Sequence, residues 1–314
     1  MRIKNIIFGS ILCFAGTACS SSSHAQPRTE EDIAVECSFQ LPDVPATLKS
    51  PEERLHYVVR HYWDNFDFRD TAYIHLPEVT EQALVNYIDL LGRVPTAETD
   101  TCLTMLLKAA SVEPMMQDYL YRTLRHYLYE PNSPFLNDVL YEPVVRYMSA
   151  DKNVDLATRS RAEYEWKMVR KNRVGTVAND FTYTLADGNS ARLSRLRNLY
   201  TLLLFYEPDC ESCIETIARI KSSPLLQRAD MKGVLTILAV YPEEEIGKWR
   251  KYGRQLPNDW INVYDASMAI ITNDLYDLRA MPTLYLLDTQ KKVLLKDTSM
   301  EQVEEFFSSM QINE

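Results

Sequence analysis

Hydrophobic positions in the first half of the chain recur with helical spacing. Leu55, Val58, Val59, Tyr62, Trp63 and Phe66 fall at i, i+3, i+4, i+7, i+8 and i+11, which lines one side of an amphipathic helix. Pro51 followed by Glu52 and Glu53 opens that helix. The proline ring presets φ where the N–H has no partner, and the acids sit near the positive end of the dipole. Three more stripes follow: Ala83, Tyr87, Leu90 and Leu91; Leu103, Leu106, Leu107 and Ala110; and Met116, Leu120, Leu124, Tyr127 and Leu128. Two further helices are predicted over 134–148 and 154–173, with Pro95, Pro114, Pro131 and Pro134 as punctuation. Neither a strand pattern nor a fixed-length repeat interrupts them, so residues 38–174 read as an all-helical domain.

After Arg173 the period changes. Residues 174–180, with Gly175 and several polar side chains, read as a linker. Leu202 to Tyr206 is an apolar run of strand length, followed by a helical pattern over 213–229. A second strand is predicted over 234–241, a helix over 243–252, a hairpin pair over 283–287 and 293–296, and a closing helix over 300–310. Strands alternating with helices and ending in a hairpin predict an α/β order with a mixed sheet. The fold class is therefore α + α/β, a helical domain ahead of a mixed central sheet spanning 178–314.

Composition adds limits. A chain of 314 residues favours two domains, and 46% hydrophobic with 25% charged residues is ordinary for folded protein. The net charge of −10 argues against a nucleic-acid partner, which needs clustered Lys and Arg, and mainly serves solubility. The N-terminus reads as an export signal. Arg2 and Lys4 precede an apolar stretch over 6–18 that is too short to span a bilayer. Gly16-Thr17-Ala18-Cys19, followed by serines 20–23, resembles a bacterial lipobox, with Gly16 where Leu is usual. That resemblance makes residues 1–18 a lipoprotein signal peptide, Cys19 the lipidated first residue and 19–37 a polar tether. Cleavage after Ser23-His24-Ala25, leaving a soluble periplasmic protein, is the alternative, and both routes lead out of the cytoplasm.

Of six cysteines, Cys13 lies in the leader and Cys19 at the lipid site, which leaves Cys37, Cys102, Cys210 and Cys213 where disulfides persist. Cys37 and Cys102 are either a disulfide or two buried thiols. Cys210-Glu211-Ser212-Cys213 follows the apolar strand and opens a helix. There the first cysteine meets unsatisfied N–H groups that favour a thiolate, and the second lies one turn on, within reach of a disulfide. Such a pair suits thiol–disulfide exchange, with Cys210 as the attacking and Cys213 as the resolving residue. Half a zinc site is one competing reading, but no second C-x-x-C exists and all five histidines precede residue 178. A purely structural Cys210–Cys213 disulfide is the more serious one, and its short ring at a helix start favours the redox role. No metal or cofactor is expected.

Met281-Pro282-Thr283, about seventy residues later and directly before an apolar strand, completes a resemblance to the thioredoxin superfamily. It implies that Pro282 is a cis-proline beside the cysteines and that Met281 presents backbone to a substrate. Phe205-Tyr206 matches the aromatic pair of the preceding strand. The stretch Phe181 to Leu196, with Asp187-Gly188 as a turn, resembles the N-terminal extension of the TlpA/ResA-like branch. Tyr62-Trp63-Asp64-Asn65-Phe66-Asp67-Phe68 is similar to a motif of the DUF5106 domain, a helical module of Bacteroidetes proteins found ahead of thioredoxin-like domains. Tyr241-Pro242, Trp249, Leu256-Pro257 and Trp260 fit the same fusions.

Three positions depart from that pattern. Asp209 replaces the aromatic residue before the first cysteine, Leu204 stands where the superfamily has a buried carboxylate, and Glu211-Ser212 replaces Gly-Pro. Glu207, Asp209 and Glu211, each opposing a thiolate by about 0.5 kcal/mol through water, together offset a helix-terminus benefit of roughly 0.3–2 kcal/mol. The expectation is a Cys210 thiol close to a free one, in a periplasmic thiol–disulfide oxidoreductase of reductase or isomerase type. Its partners would be envelope protein thiols or disulfides and a membrane thiol electron donor. Two other readings are an envelope scaffold lipoprotein, whose helical domain holds a partner beside a redox-inert or sensing domain, and a thiol peroxidase. The acidic surroundings of Cys210 disfavour the peroxidase.

Overall fold

Ser50 starts the helical half by accepting the Glu53 N–H at 3.0 Å, while the Glu53 carboxylate accepts the Ser50 N–H at 3.1 Å. Helix α1, Pro51–His61, follows in this computed structural model, which describes residues 39–228, 231 and 233–311. The leader, Cys19, the tether and Cys37 lie outside the described residues. The helix ends before its stripe does. Asp64 and Phe66 donate to the carbonyls of His61 and Trp63, three residues back, and this turn swings Tyr62, Trp63 and Phe66 onto Phe39, Phe68 and Tyr87. Burial of the aromatic rings therefore continues where the helix does not.

Helices α2 (Pro77–Leu91), α3 (Thr96–Ala110), α4 (Pro114–Leu128), α5 (Asp138–Ala150) and α6 (Leu156–Val169) complete this half. Their inward positions, including Leu84, Leu103, Leu107, Leu120, Leu124 and Tyr141, form one buried cluster. Helix α5 begins four residues later than the pattern suggests, because Asn137 accepts the N–H groups of Val139 and Leu140 and so sets the start. Cys102 is a buried free thiol on α3.

The C-terminal half is a seven-stranded sheet of order β2-β1-β5-β4-β3-β6-β7. Its strands are β1 (Thr182–Thr184), β2 (Ser190–Arg192), β3 (Tyr200–Phe205), β4 (Leu235–Tyr241), β5 (Ile261–Tyr264), β6 (Thr283–Leu287) and β7 (Val293–Lys296). Strands β3, β4 and β5 are parallel, and the others pair antiparallel. Alternation along β3 splits the core: Leu202, Leu204 and Tyr206 face helices α7 (Glu211–Ser222), α8 (Ile246–Gly253) and α10 (Met300–Gln311). Leu203 and Phe205 face the other side, with Phe181, Tyr276 and Tyr285. Helix α7 stops at Ser222 because Ser223 precedes Pro224 and takes extended backbone. Strand β5 and the short helix α9 (Ala269–Thr272) were not predicted; four-residue elements carry too little periodicity to announce themselves. The expected linker is docked: Gly175 and Ala178 donate to Val293 and Lys291, with Gly175 at φ 87°.

The described residues form a single compact unit, held at the junction of its halves by a buried charge cluster. Arg279 donates to the Tyr129 carbonyl at 2.9 Å and lies 4.2 Å over the Tyr129 ring. It also meets Asp138 at 2.9 Å, Asp277 at 3.0 Å and Asp297 at 2.7 Å. Lys296 reaches Asp138 at 2.6 Å and the carbonyl of Lys171 at 2.9 Å. Three carboxyls thus face two cations. Burial pushes the Asp297 carboxyl up to about 6 despite Arg279, and burial raises Asp277 as well.

A carboxyl raised in the fold contributes its full stability below the unfolded pKa near 4 and loses it as pH climbs through about 6. Asp297→Asn, which removes that ionisation at a left-handed position (φ 48°) that Asn tolerates, should gain on the wild type between pH 4 and 7.5. The expected gain is about 2–3 kcal/mol, read from urea unfolding at each pH. A stability difference constant across that range would refute this account of the junction.

Candidate active site

The site grows from the end of β3. The parallel β3–β4 ladder carries the chain through Tyr206, whose N–H is bound by the Val240 carbonyl, and releases it into the turn 207–210. Cys210 caps α7 with extended backbone (φ −85°, ψ 120°), and its Sγ accepts the Cys213 N–H at 3.3 Å. A sulfur at that position faces the unpaired amides of the first turn, which favour negative charge. Cys210 is half-buried, whereas Cys213 is fully buried on the inner face of α7. The Glu207 N–H reaches Cys213 Sγ at 3.4 Å. Both thiols are free, and burial pushes that of Cys213 well above the ordinary thiol range.

The second element arrives on the other side of β3. Strand β6 pairs antiparallel with β3, so Phe205 lies opposite Thr283 and the residues before β6 end beside the cysteines. The Met281–Pro282 bond is cis. The Met281 carbonyl oxygen lies 3.4 Å from Cys210 Sγ, which donates to it, and Thr283 Oγ1 pins the loop by donating to the Ala280 carbonyl at 2.6 Å. Cys210, Cys213 and Met281 thus come together as one group of atoms, with Pro282 adjoining them.

Helix α8 supplies what the sequence did not disclose. Lys248 Nζ bridges Glu207 at 2.7 Å and Asp209 at 3.1 Å, and these carboxylates hold its ammonium well above the usual lysine range. Two of the three acids expected to oppose a Cys210 thiolate are therefore already paired, which corrects the uncompensated acidic ring read from the sequence. Leu204 is fully buried among apolar neighbours, so no carboxylate occupies that position. Behind the pair, Asn262 Oδ1 accepts from Tyr206 Oη at 2.8 Å and from Trp249 Nε1 at 3.0 Å, which ties β3, α8 and β5 together. Gly253 leaves room for this node, since a Cβ there would lie 2.3 Å from Asn262 Nδ2. Lys248, Asn262 and Gly253 lie 38–52 residues from Cys210 and belong to no recognisable spacing, so only the fold assembles them.

The family model described as "Domain of unknown function (DUF5106)" matches residues 18–172. A thioredoxin-like protein of Bacteroides caccae, solved by crystallography, is 40% identical, with a TM-score of 0.80 over 86% of this chain and 98% of that one. The C-terminal domain of an uncharacterized Bacteroides fragilis protein is 42% identical over 44% of this chain and 98% of its own, with a TM-score of 0.43. A domain of a possible thiol-disulfide isomerase from Cytophaga hutchinsonii is 23% identical over 46% and 97%, with a TM-score of 0.41. No curated protein matches the chain.

The geometry gives the two thiols different reactivities. At pH 7.5 iodoacetamide should label Cys210 at least about 100-fold faster than the buried Cys213, as read by peptide mass spectrometry. Lys248→Met, which strips the counter-charge from Glu207 and Asp209, should slow Cys210 labelling about two- to fivefold. Equal labelling of the two cysteines would contradict this assignment.

Proposed function

This chain belongs to the thioredoxin-like proteins that carry a DUF5106 domain in their N-terminal half, and from that premise we propose that it is a thiol–disulfide oxidoreductase of reductase or isomerase type. The observation that carries the reading is one cluster of atoms. A half-buried sulfur accepts a helix N-terminal amide, a buried partner thiol lies one turn on, and the Met281 carbonyl stands 3.4 Å away.

Each group has a step to perform. The Cys210 thiolate attacks one sulfur of a substrate disulfide; a Cys210–substrate S–S bond forms, the substrate S–S bond breaks, and the leaving sulfur takes a proton from solvent. A chain lying along residues 280–282 orients that attack by pairing with the loop backbone. Cys213 then gives up its proton and attacks Cys210 Sγ, which forms the Cys210–Cys213 disulfide and releases the second substrate thiol. Two electrons pass from the dithiol to the substrate. Burial raises the Cys213 thiol in the resting dithiol, which disfavours early attack on the mixed disulfide and accords with isomerisation as well as reduction. A membrane thiol donor would restore the dithiol. The lipobox-like leader supports a periplasmic site of action with Cys19 as the lipid anchor, and cleavage after Ala25 is the soluble alternative.

Insulin reduction by the wild type should fall to background in Cys210→Ser, and Cys213→Ser should accumulate mixed disulfides at Cys210 when mixed with envelope extract. Absence of both effects would overturn the enzymatic reading in favour of a scaffold. A Cys210–Cys213 potential as oxidising as about −120 mV would exclude the reductase assignment. Palmitate labelling should be lost in Cys19→Ala, and labelling that persists in this variant would remove Cys19 as the anchor.

A further inference from the structure

Met281 faces two ways. Its carbonyl touches Cys210, and the same residue forms one end of an open cleft of about 510 Å³ between the halves of the chain. The loop 274–281 makes one wall of the cleft. The other wall comes from the helical half, through Tyr129 and Glu130 after α4 and Tyr164 and Met168 of α6. A polypeptide lying along residues 280–281 with its sulfur at Cys210 runs straight into this space. The helical half therefore borders the path of any protein substrate.

The charge of the cleft selects what can follow that path. Five carboxylates line it against two guanidiniums, and among the described residues no lysine or histidine lines it. Both guanidiniums are engaged: Arg125 with Glu130 and Glu165, Arg279 with Asp138, Asp277 and Asp297. Asp274 has an outside partner in Lys167, but Glu243 enters from the end of β4 without an ion pair among those described. Glu207 and Asp209 share the single Lys248 nearby, and Glu211, Glu244 and Glu245 are exposed. Tyr164, 49% exposed, offers a ring face that a passing cation can cover.

We propose that this cleft is the extended substrate site of the enzyme and that it takes protein segments carrying Lys or Arg beside the disulfide cysteine. The inference rests on the oxidoreductase reading above. A cationic segment gains from the unbalanced carboxylates on approach and in the bound state, whereas an acidic one is repelled at the same place.

The test uses the full chain and two disulfide-linked peptides that differ only in having Lys or Glu on both sides of the cysteine. A small neutral disulfide, bis(2-hydroxyethyl) disulfide, serves as a third substrate. At about 20 mM NaCl the Lys peptide should be reduced with a kcat/KM about tenfold above that of the Glu peptide, and at about 1 M NaCl the ratio should shrink toward two. In the Glu130→Lys/Glu243→Lys variant, checked for native circular dichroism, the ratio should fall to one or invert. Equal rates for the two peptides, with the neutral disulfide still turned over, would overturn the cleft assignment alone. A preference that survives the double variant would do the same. Loss of turnover with the neutral disulfide would overturn the oxidoreductase reading and this inference with it.

Discussion

Arg279 is the residue on which the two halves depend. Its guanidinium is taken out of water and meets three carboxylates, one carbonyl and one aromatic ring at once. Burial alone would make it a less willing cation, but Asp138, Asp297 and Asp277 hold it charged. A charge so placed is tolerated only because its partners are fixed, and these partners come from α5, from the loop itself and from the end of β7. Two residues further on lies Met281, whose carbonyl meets the Cys210 sulfur. The helical half thus anchors the loop that lies against the cysteine pair, through a short piece of backbone.

The sheet does the complementary task. Parallel strands β3 and β4 end side by side, so the motif after one and the residues 242–245 after the other emerge at the same edge. Strand β6, antiparallel to β3, brings its preceding loop to that edge from the opposite side. Three segments distant in sequence therefore converge without any of them being long. Helix α8 then covers the inner cysteine and lends Lys248 to the acids that precede the motif.

What the sequence could disclose divides along the range of the interactions. The C-x-x-C, the Met281-Pro282 step and the apolar strand before the cysteines are local patterns, and each could be placed without the fold. Stripes such as Met116, Leu120 and Leu124 likewise gave the helices their inner faces. Their ends were harder. The apolar period of α1 runs on to Phe66 while the backbone turns at His61, because the aromatic rings are buried in either conformation. Strand β5 was missed for its shortness. The pairing of Lys248 with Glu207 spans 41 residues, and that of Arg279 with Asp138 spans 141. No spacing rule reaches so far, so the counter-charge of the acidic ring is not legible in the sequence.

The junction also bears on how such a chain can vary over time. Domains joined end to end are commonly regarded as interchangeable parts, free to be recombined with new neighbours. Here an apolar replacement of Asp138 in the helical half would strip Lys296 in the other half of its carboxylate partner in a dry environment, while Arg279 would keep only Asp277 and Asp297. A change of charge at one side therefore costs stability unless the other side changes with it, which binds the two halves into one unit for exchange.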